Sequence, residues 1–271
     1  MTRFRFVKER KPHLKSPGEI EAMKAAGQLS ARALKLAGGL VRPGITTLEI
    51  DGCVEEFIRA EGGVPAFKGY GGFPCSICAS VNEQVVHGIP SGDVVLKEGD
   101  IVSIDTGAIV DGWVGDNAHT FTVGAVAPGI QRLLDTVERA LWAGIGQTVC
   151  GNHIRDIGFA VQSIAEAGGY SVVRQYTGHG IGRDMHEDPL VPNYGIRHTG
   201  MKLEPGMVLA IEPMITMGTY KNHTLANGWT VVTNDGKPAA HYENSVAITK
   251  DGPVILTQDD EGPWCNLQGG E

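Results

Sequence analysis

Two carboxylates mark the stretch of this chain that is best suited to chemistry, residues 99–116 (GDIVSIDTGAIVDGWVGD). Apolar runs predict two strands here, and the Asp-Gly dipeptide at 111–112 favours a two-residue hairpin turn, because such turns require positive φ. With that turn, Asp105 pairs opposite Ala118, and Asp116 lies two residues along the same face. The two carboxylates are then diagonal neighbours, roughly 7–8 Å apart at the backbone. They either face solvent and aid solubility, or repel each other on an apolar face until a cation lies between them.

The pattern returns about 107 residues later. Residues 98–105 (EGDIVSID) correspond to residues 205–212 (PGMVLAIE), so Glu212 stands in the second copy where Asp105 stands in the first. Similar Ala, Gly, Leu and Ile positions precede both copies within segments patterned as helices. We therefore predict two half-domains related by a pseudo-two-fold axis, with acids from each half meeting at that axis.

Composition limits the classes of protein to consider. The 271 residues are 42% hydrophobic and 20% charged, which is ordinary for a globular protein, and the duplication favours one large domain over two. The net charge of −8 argues against a general nucleic-acid binder. Five cysteines, an odd number, suit a reducing compartment, and no apolar run approaches the roughly 18 residues of a spanning helix. No secretory signal is visible, so we expect a cytoplasmic protein.

Three regions are predicted along the chain. Residues 1–15 carry six basic side chains against one acid and form a basic N-terminal arm, which is either mobile or makes a weak electrostatic contact with RNA or another acidic surface. Residues 16–257 form the single pseudo-symmetric domain. Residues 258–271 form an acidic, glycine-rich C-terminal tail.

Capping residues and apolar spacing predict four helices: residues 17–37, ended by Gly38-Gly39; residues 47–60, capped by Thr46; residues 128–149; and residues 153–167, capped by Asn152. A second hairpin is predicted near the C-terminus. Its turn is Asp235-Gly236, its first strand begins near Trp229, and its second strand carries Glu243.

Several histidines lie in loops. The segment 177–189 (TGHGIGRDMHEDP) is rich in glycine, so His179 and His186 lie on a backbone that can approach a ligand closely. Their spacing does not match the helical HExxH pattern of zinc peptidases. His87 ends an exposed turn, where a structural and a catalytic role are both open.

The acids and one imidazole together suggest a metal centre, formed by Asp105, Asp116, His179, Glu212 and Glu243. Oxygen ligands with a single imidazole suit Mn, Co, Fe, Ni or Zn, and do not suit a thiolate zinc site. Four carboxylates sharing one buried face need cations, and two divalent ions would balance them. This composition predicts a dinuclear hydrolase with metals roughly 3.5–4 Å apart. No Ser-His-Asp arrangement and no phosphate-binding glycine loop competes with it.

Five motifs in order resemble the type I methionine aminopeptidases: SVNEQVVHGIP, SIDTGAIVDGWVGD, TGHGIGRDMHEDP, LAIEPM and HYENSVAIT. The resemblance extends over about residues 16–256. It implies the α+β pita-bread fold, in which duplicated helix pairs pack on a curved antiparallel sheet, in a bacterial-type form without an N-terminal zinc finger. It also implies a metallo-exopeptidase that removes the initiator methionine from nascent proteins and peptides, with a preference for a small second residue.

The resemblance assigns roles to the metal-centre residues. Asp105 would chelate one of two divalent ions (Co, Mn, Fe, Ni or Zn), Asp116 and Glu243 would bridge both, and His179 and Glu212 would complete the other. A metal-bridging water would attack the scissile carbonyl, with Glu212 as the general base.

The resemblance also implies substrate contacts. His87 and His186 would lie beside the substrate amide and carbonyl, outside the metal ligands. The methionine side chain would enter a pocket lined by Tyr70, Phe73, Cys78 and Trp229. Met185 stands where relatives often carry an aromatic residue, so it should alter the pocket's shape. His119 matches no ligand and is interpreted as structural.

The expected partner is the N-terminal methionine of nascent polypeptides, with a weak ribosome contact through the basic arm, no membrane association and a monomeric state. Three alternatives remain open. An X-Pro peptidase would use the same five ligands, but usually carries a large additional N-terminal domain. A non-catalytic binding module of this fold usually loses ligands, and an RNA-binding adaptor is disfavoured by the net charge.

Overall fold

The computed structural model describes residues 11–259. Residues 1–10 of the predicted arm and residues 260–271 of the predicted tail lie outside this part. The described residues form four α-helices: α1 (Pro17–Leu40), α2 (Thr47–Ala60), α3 (Pro128–Ile145) and α4 (Ile154–Ala167). A short 3₁₀ turn covers Tyr70–Gly72.

The strands within this part are β1 (Val64–Pro65), β2 (Ile77–Val81), β3 (Gln84–Val86), β4 (Ile101–Val110), β5 (Trp113–Thr122), β6 (Ser171–Val172), β7 (Gly178–Gly180), β8 (Glu187–Val191), β9 (Val208–Ile211), β10 (Met214–Thr216), β11 (Asn222–Thr224), β12 (Val231–Thr233), β13 (Ala239–His241), β14 (Glu243–Thr249) and β15 (Gly252–Ile255). The main sheet has the order β1-β4-β5-β14-β9-β7-β8, with β2 also beside β4 and β15 beside β14. Two small sheets have the orders β13-β10-β6 and β11-β12-β3. A curled antiparallel sheet with helices confirms the α+β prediction.

The molecule is built from two similar halves. One apolar cluster joins α1, α2 and β4, with Leu34 and Val54 fully or almost fully buried. A second joins α3, α4 and β9, with Leu141 and Ile157 buried. Helices α2 and α4 each have 14 residues and occupy corresponding places after α1 and α3. The predicted duplication of helix pairs is therefore present in the fold.

The central hairpin has the predicted turn and register. Asp111 and Gly112 have φ values of 50° and 73°, the positive values that a two-residue primed turn requires. Asp105 lies opposite Ala118, and Asp116 lies opposite Gly107. The carboxylates of Asp105 and Asp116 consequently lie on one face of the sheet, because side chains alternate along each strand.

Helix α1 continues through the predicted stop at Gly38-Gly39 and ends at Leu40. A Cβ atom at Gly38 would collide with the ring of Phe121 on β5. Glycine at this position therefore allows the helix to lie against the sheet, and the expectation that it ends the helix was wrong.

Two other helix limits differ from the sequence prediction. Helix α3 ends at Ile145, before the predicted Val149, because consecutive tight turns begin at Gly146. Helix α4 is capped by His153 and not by Asn152. The Asp156 carboxylate accepts a hydrogen bond of 2.8 Å from the backbone N–H of His153 and so fixes the start of the helix.

The predicted second hairpin is wrong in its pairing. Residues 233–236 do form a turn, centred on Asn234 and Asp235 and so one residue earlier than predicted. However, β12 before it pairs with β11 and β3, whereas β13 after it pairs with β10. Pro238 has no N–H to donate to a ladder with β12, and its carbonyl accepts from the backbone N–H of Met217, which directly follows β10. The turn thus passes the chain from one small sheet to another.

Helix α1 rests directly on β5 where Gly27 meets Gly115. A Cβ atom on Gly115 would lie 2.5 Å from the backbone N and Cα atoms of Gly27, a distance that real side chains do not tolerate. Gly115 precedes Asp116, so this backbone contact also fixes the distance between helix α1 and the strand at Asp116.

We expect Gly115→Ala to lower the free energy of unfolding by about 1–3 kcal/mol, because the helix must move away from the strand. Urea unfolding followed by circular dichroism measures it. The matched control is Gly39→Ala, where no atom lies within 4 Å of the added Cβ. This control should raise the free energy of unfolding by about 0.5–1 kcal/mol, since alanine favours the helix. Equal stability of the Gly115→Ala variant and the original chain would contradict the tight contact.

Candidate active site

One cavity of about 160 Å³ brings together all the residues that the sequence predicted for the site. Its lining contains Tyr70, Phe73, Cys78, His87, Asp105, Asp116, His179, Met185, His186, Glu212, Trp229 and Glu243. Phe67 also lines it and was missed, although it opens the aromatic, glycine-rich loop that the sequence makes conspicuous. The geometry shows that these side chains are neighbours, and their individual roles stay predictions.

Sheet order explains why distant acids meet. Ala118 lies opposite Asp105 on one side and opposite Glu243 on the other, because β5 lies between β4 and β14. On the far side of β14, Asn244 pairs with Ile211, which places Glu212 next to Glu243. Acids from both halves of the duplicated domain therefore form one row across the main sheet.

His179 on β7 presents an unprotonated nitrogen to these acids. Its Nδ1 lies 2.9 Å from the carbonyl oxygen of Gly180, so Nδ1–H donates there and Nε2 keeps its lone pair. Nε2 lies 3.7 Å from Asp116 Oδ2 and 3.5 Å from Glu212 Oε1. A lone pair facing two carboxylates is repulsive unless a cation lies between them, and this fixed orientation is typical of metal-binding histidines.

The carboxylates cannot all be ionised in their present surroundings. Burial, followed by the charge of Asp116, raises the pKa of Asp105 well above its usual value. Burial raises the pKa of Asp116 to about 7. Burial and the neighbouring acids raise the pKa values of Glu212 and Glu243 well above normal. Burial lowers the pKa of His179 to about 4, so this imidazole is neutral and supplies no balancing charge.

The residues present fit divalent metal ions. Asp105 Oδ1, Asp116 Oδ1 and Glu243 Oε1 are buried and have no hydrogen-bond partner. Within residues 11–259, the ion pairs formed by lysines and arginines involve acids other than the four of this cluster. Orphaned carboxylate oxygens beside an imidazole lone pair are the donors that borderline divalent cations prefer. Asp116, His179 and Glu243 also offer ligand atoms within 4.8 Å of one another.

His241 is a member of the acid cluster that sequence reasoning missed. It is buried, with Nε2 lying 3.7 Å from Glu212 Oε2 and 3.7 Å from Glu243 Oε2. Burial lowers its pKa to about 3, so the ring is neutral. Its position two residues before Glu243 could have indicated that both side chains reach the same side.

The loop that carries His186 is fixed to the central hairpin. The Glu187 carboxylate lies 2.5 Å from Lys15 Nζ and accepts from the backbone N–H of Arg183. The Arg183 guanidinium lies 3.8 Å from the ring centroid of Trp113 and donates to the carbonyl of Asp111. Lys15, which the sequence assigned to the end of the basic arm, is thus a buried part of the fold.

His186 itself is held by Tyr70. Its Nδ1 lies 2.8 Å from the hydroxyl oxygen of Tyr70, and its ring centroid is 4.3 Å from that of His179. The Tyr70 contact fixes the ring and leaves the other nitrogen available at the edge of the cavity.

The opposite end of the cavity is apolar. Phe73 and Trp229 meet edge to face, with ring centroids 5.1 Å apart. Cys78 and Met185 are buried beside them, and Cys78 lies directly across from Asp105 on β2. Acidic and apolar surfaces therefore share one small cavity.

His87 lies where these two surfaces meet. Its ring centroid is 6.4 Å from that of Trp229 and 5.7 Å from that of Tyr176. The backbone has a φ of 59°, which is uncommon for a residue with a side chain. Burial lowers the pKa of His87 to about 4, so it enters the cavity as a neutral donor and acceptor.

His119 lies outside this cavity, in keeping with the structural interpretation. Its ring packs between Phe121 and Tyr242, with centroid distances of 4.7 and 4.4 Å. Burial lowers its pKa to about 4.

Comparison with known proteins places this geometry in a family. Residues 21–250 match the family described as Metallopeptidase family M24. A methionine aminopeptidase of Clostridium acetobutylicum is 50% identical over 244 residues, covering 90% of this chain and 98% of that protein. The crystal structure of methionine aminopeptidase from Rickettsia prowazekii has a TM-score of 0.90 and 42% identity, covering 91% of this chain and all of that one. The predicted pita-bread fold is thereby confirmed.

More distant structures share the fold alone. The prolidase from Pyrococcus horikoshii OT3 has a TM-score of 0.74 at 23% identity, covering 91% of this chain and 64% of that chain. Since the family match spans residues 21–250 and the clostridial relative is half identical over nine-tenths of the chain, this protein belongs to metallopeptidase family M24.

Proposed function

We propose that this metallopeptidase removes the N-terminal methionine from nascent proteins and peptides, preferring a small second residue. The observation that carries the proposal is the cavity itself, in which a row of acids adjoins a small slot of aromatic and sulfur-containing side chains. A relative named methionine aminopeptidase at 50% identity supports the same activity.

Asp105, Asp116, His179, Glu212 and Glu243 would hold two divalent ions, drawn from Co, Mn, Fe, Ni or Zn. Their orphaned oxygens and the lone pair on His179 Nε2 support this assignment. When bound, such ions polarise a carbonyl and lower the pKa of water, which peptide hydrolysis at neutral pH requires.

Glu212 is the proposed general base. Asn193 donates a hydrogen bond of 2.8 Å to its backbone carbonyl and so fixes the residue at the end of β9. Its carboxylate lies between His179 and His241 and keeps a partly exposed edge toward the cavity. From there it takes a proton from the attacking water and delivers it to the leaving amine.

Two histidines orient the peptide. The hydroxyl of Tyr70 holds Nδ1 of His186, which leaves Nε2 to contact the substrate carbonyl. His87 is neutral near pH 7, so it can donate a hydrogen bond to the scissile amide without burying a charge. Both act beside the metal ligands and not as ligands.

The methionine side chain would occupy the apolar end of the cavity. The Phe73–Trp229 pair forms one wall, and Tyr70, Cys78 and Met185 complete the slot. An unbranched, polarisable thioether suits a slot of aromatic rings and sulfur atoms.

We also propose a cytoplasmic location, a monomeric state and a weak ribosome contact through the basic arm. The odd number of cysteines supports the location, and the five lysines and arginines within residues 1–14 support the contact. No helix within residues 11–259 is long and apolar enough to cross a membrane.

Substrate selection tests the proposed activity. We expect Mn²⁺-loaded protein to release methionine from Met-Ala-Ser and to accept norleucine in its place. A valine peptide should react about 10²-fold more slowly, because its β-branch clashes in a slot for an unbranched chain. Chelation should abolish turnover, and added Mn²⁺ should restore it, as followed by chromatography of the released amino acid.

Other outcomes of this assay would favour an alternative function or contradict the metal assignment. Faster cleavage of Ala-Pro than of Met-Ala-Ser would indicate an X-Pro peptidase. Binding of peptides without cleavage would favour a binding module. Full turnover by protein free of metal in elemental analysis would contradict the metal assignment.

The role of Glu212 is tested by Glu212→Gln, which we expect to lower kcat on Met-Ala-Ser by at least about 10²-fold, since it removes the proton acceptor. Glu138→Gln is the matched control, because Glu138 is a half-buried acid on α3 outside the cavity. It should keep kcat within about twofold, a margin worth under half a kcal/mol. Metal content is measured on both variants, and an undiminished kcat in Glu212→Gln would remove Glu212 from the mechanism.

A further inference from the structure

His241 has an unpaired polar atom aimed at two of the proposed metal ligands. The residue ends β13 and has a relative exposure of only 2%. Its Nε2 has no hydrogen-bond partner. The same atom lies 3.7 Å from Glu212 Oε2 and 3.7 Å from Glu243 Oε2.

The backbone of His241 is fixed by the strand that carries Asp116. Its N–H donates to Thr120 Oγ1 at 3.0 Å, and the Thr120 hydroxyl donates back to its carbonyl at 2.9 Å. Thr120 Oγ1 is also 2.8 Å from Ser103 Oγ on β4. This buried network holds the imidazole against the acids, so its position depends on the central hairpin.

The surroundings of the ring select its tautomer. A neutral imidazole carries one proton, and a lone pair on Nε2 would repel both carboxylate oxygens that face it. When the two glutamates are ionised, as metal ligands must be, the stable tautomer therefore has its proton on Nε2. His179 has the opposite arrangement, because Gly180 holds its proton on Nδ1 and leaves Nε2 free for a cation.

The other oxygen of each glutamate has different surroundings. Glu212 Oε1 lies 3.5 Å from Nε2 of His179, and Glu243 Oε1 is buried without a partner. An N–H···O bond is about 2.9 Å long, so either carboxylate needs to move by less than roughly 1 Å to accept from His241. Such a bond would leave the Oε1 atoms of both glutamates available to a metal ion.

We propose that His241 is a positioning residue of the metal centre: its Nε2–H donates to the Oε2 atoms of Glu212 and Glu243 and directs their Oε1 atoms to the metal ions. The inference rests on the proposed function, which assigns both glutamates as ligands. Groups that orient metal ligands typically change metal affinity by 10–100-fold when they are removed.

Direct ligation by His241 is the competing arrangement, since Glu212, His241 and Glu243 offer ligand atoms within 4.8 Å of one another. Ligation needs the Nε2 lone pair, whereas positioning needs the Nε2 proton. Glutamine separates the two, because its amide nitrogen reaches about as far as Nε2 and donates a hydrogen bond but is a poor ligand for transition metals. Asparagine reaches only as far as Nδ1.

The experiment is calorimetric titration of Mn²⁺ into metal-free protein, with kcat on Met-Ala-Ser and the melting temperature measured on the same preparations. We expect His241→Ala and His241→Asn to weaken Mn²⁺ binding by about 10–100-fold and His241→Gln to remain within about threefold of the original affinity. His119→Asn is the control for loss of a buried imidazole outside the cavity. It should lower the melting temperature without changing the Mn²⁺ affinity.

Three results would overturn the inference. Weak Mn²⁺ binding in His241→Gln, equal to that of His241→Ala, would make His241 a ligand. Unchanged affinity in all three variants, with or without a lower melting temperature, would make it a packing residue. If His241→Ala does not fold, the contrast between Gln and Asn decides alone, and equal affinities in those two contradict the inference.

The proposed activity is tested separately in the same series. Failure of the original chain to cleave Met-Ala-Ser, while it still binds Mn²⁺, would reject the aminopeptidase activity. The affinities of the His241 variants would still report on how the metal centre is positioned.

Discussion

The repulsion among four buried carboxylates is the interaction on which the rest of this structure depends. Asp105 and Asp116 share one face of a hairpin, and Glu212 and Glu243 complete the row. Burial raises the pKa values of all four, and the imidazole beside them is neutral. Such a cluster is unfavourable by itself, so the surrounding fold must hold it and a divalent cation must neutralise it.

The duplicated architecture holds the four acids together. Strand β14 lies between β5 of the first half and β9 of the second, so acids from both halves meet on neighbouring strands. Direct backbone contact between Gly27 and Gly115 fixes the first half, and the Thr120–His241 hydrogen bonds connect it to the small sheet that bears His241. The ion pair of Lys15 with Glu187 fastens the loop that carries His186. Each of these contacts joins segments that are far apart in the sequence.

Local chemistry made part of this site predictable. The Asp-Gly turn at 111–112 determines its own register, so the shared face of Asp105 and Asp116 follows from the amino-acid sequence alone. The internal repeat pointed to Glu212, and the family resemblance supplied the pocket residues. The Asp235-Gly236 turn failed as a hairpin signal because Pro238 cannot join a ladder there and β13 finds its partner in β10. Gly38 was misread because Phe121, whose ring lies against it, is distant in the chain. His241 was missed because its contact with Glu212 depends on the fold, although Glu243 is only two residues away.

The most direct test of this account is the number of protons released when metal binds. Titration of Mn²⁺ into metal-free protein at pH 7, in buffers of different ionisation enthalpy, measures that number. Because the pKa values of these acids are raised in the metal-free protein, binding should release at least about one proton per chain, and the release should decline as the pH rises above those pKa values. Mn²⁺ binding with no proton release at pH 7 would show that the carboxylates are already ionised together, and would contradict the central claim.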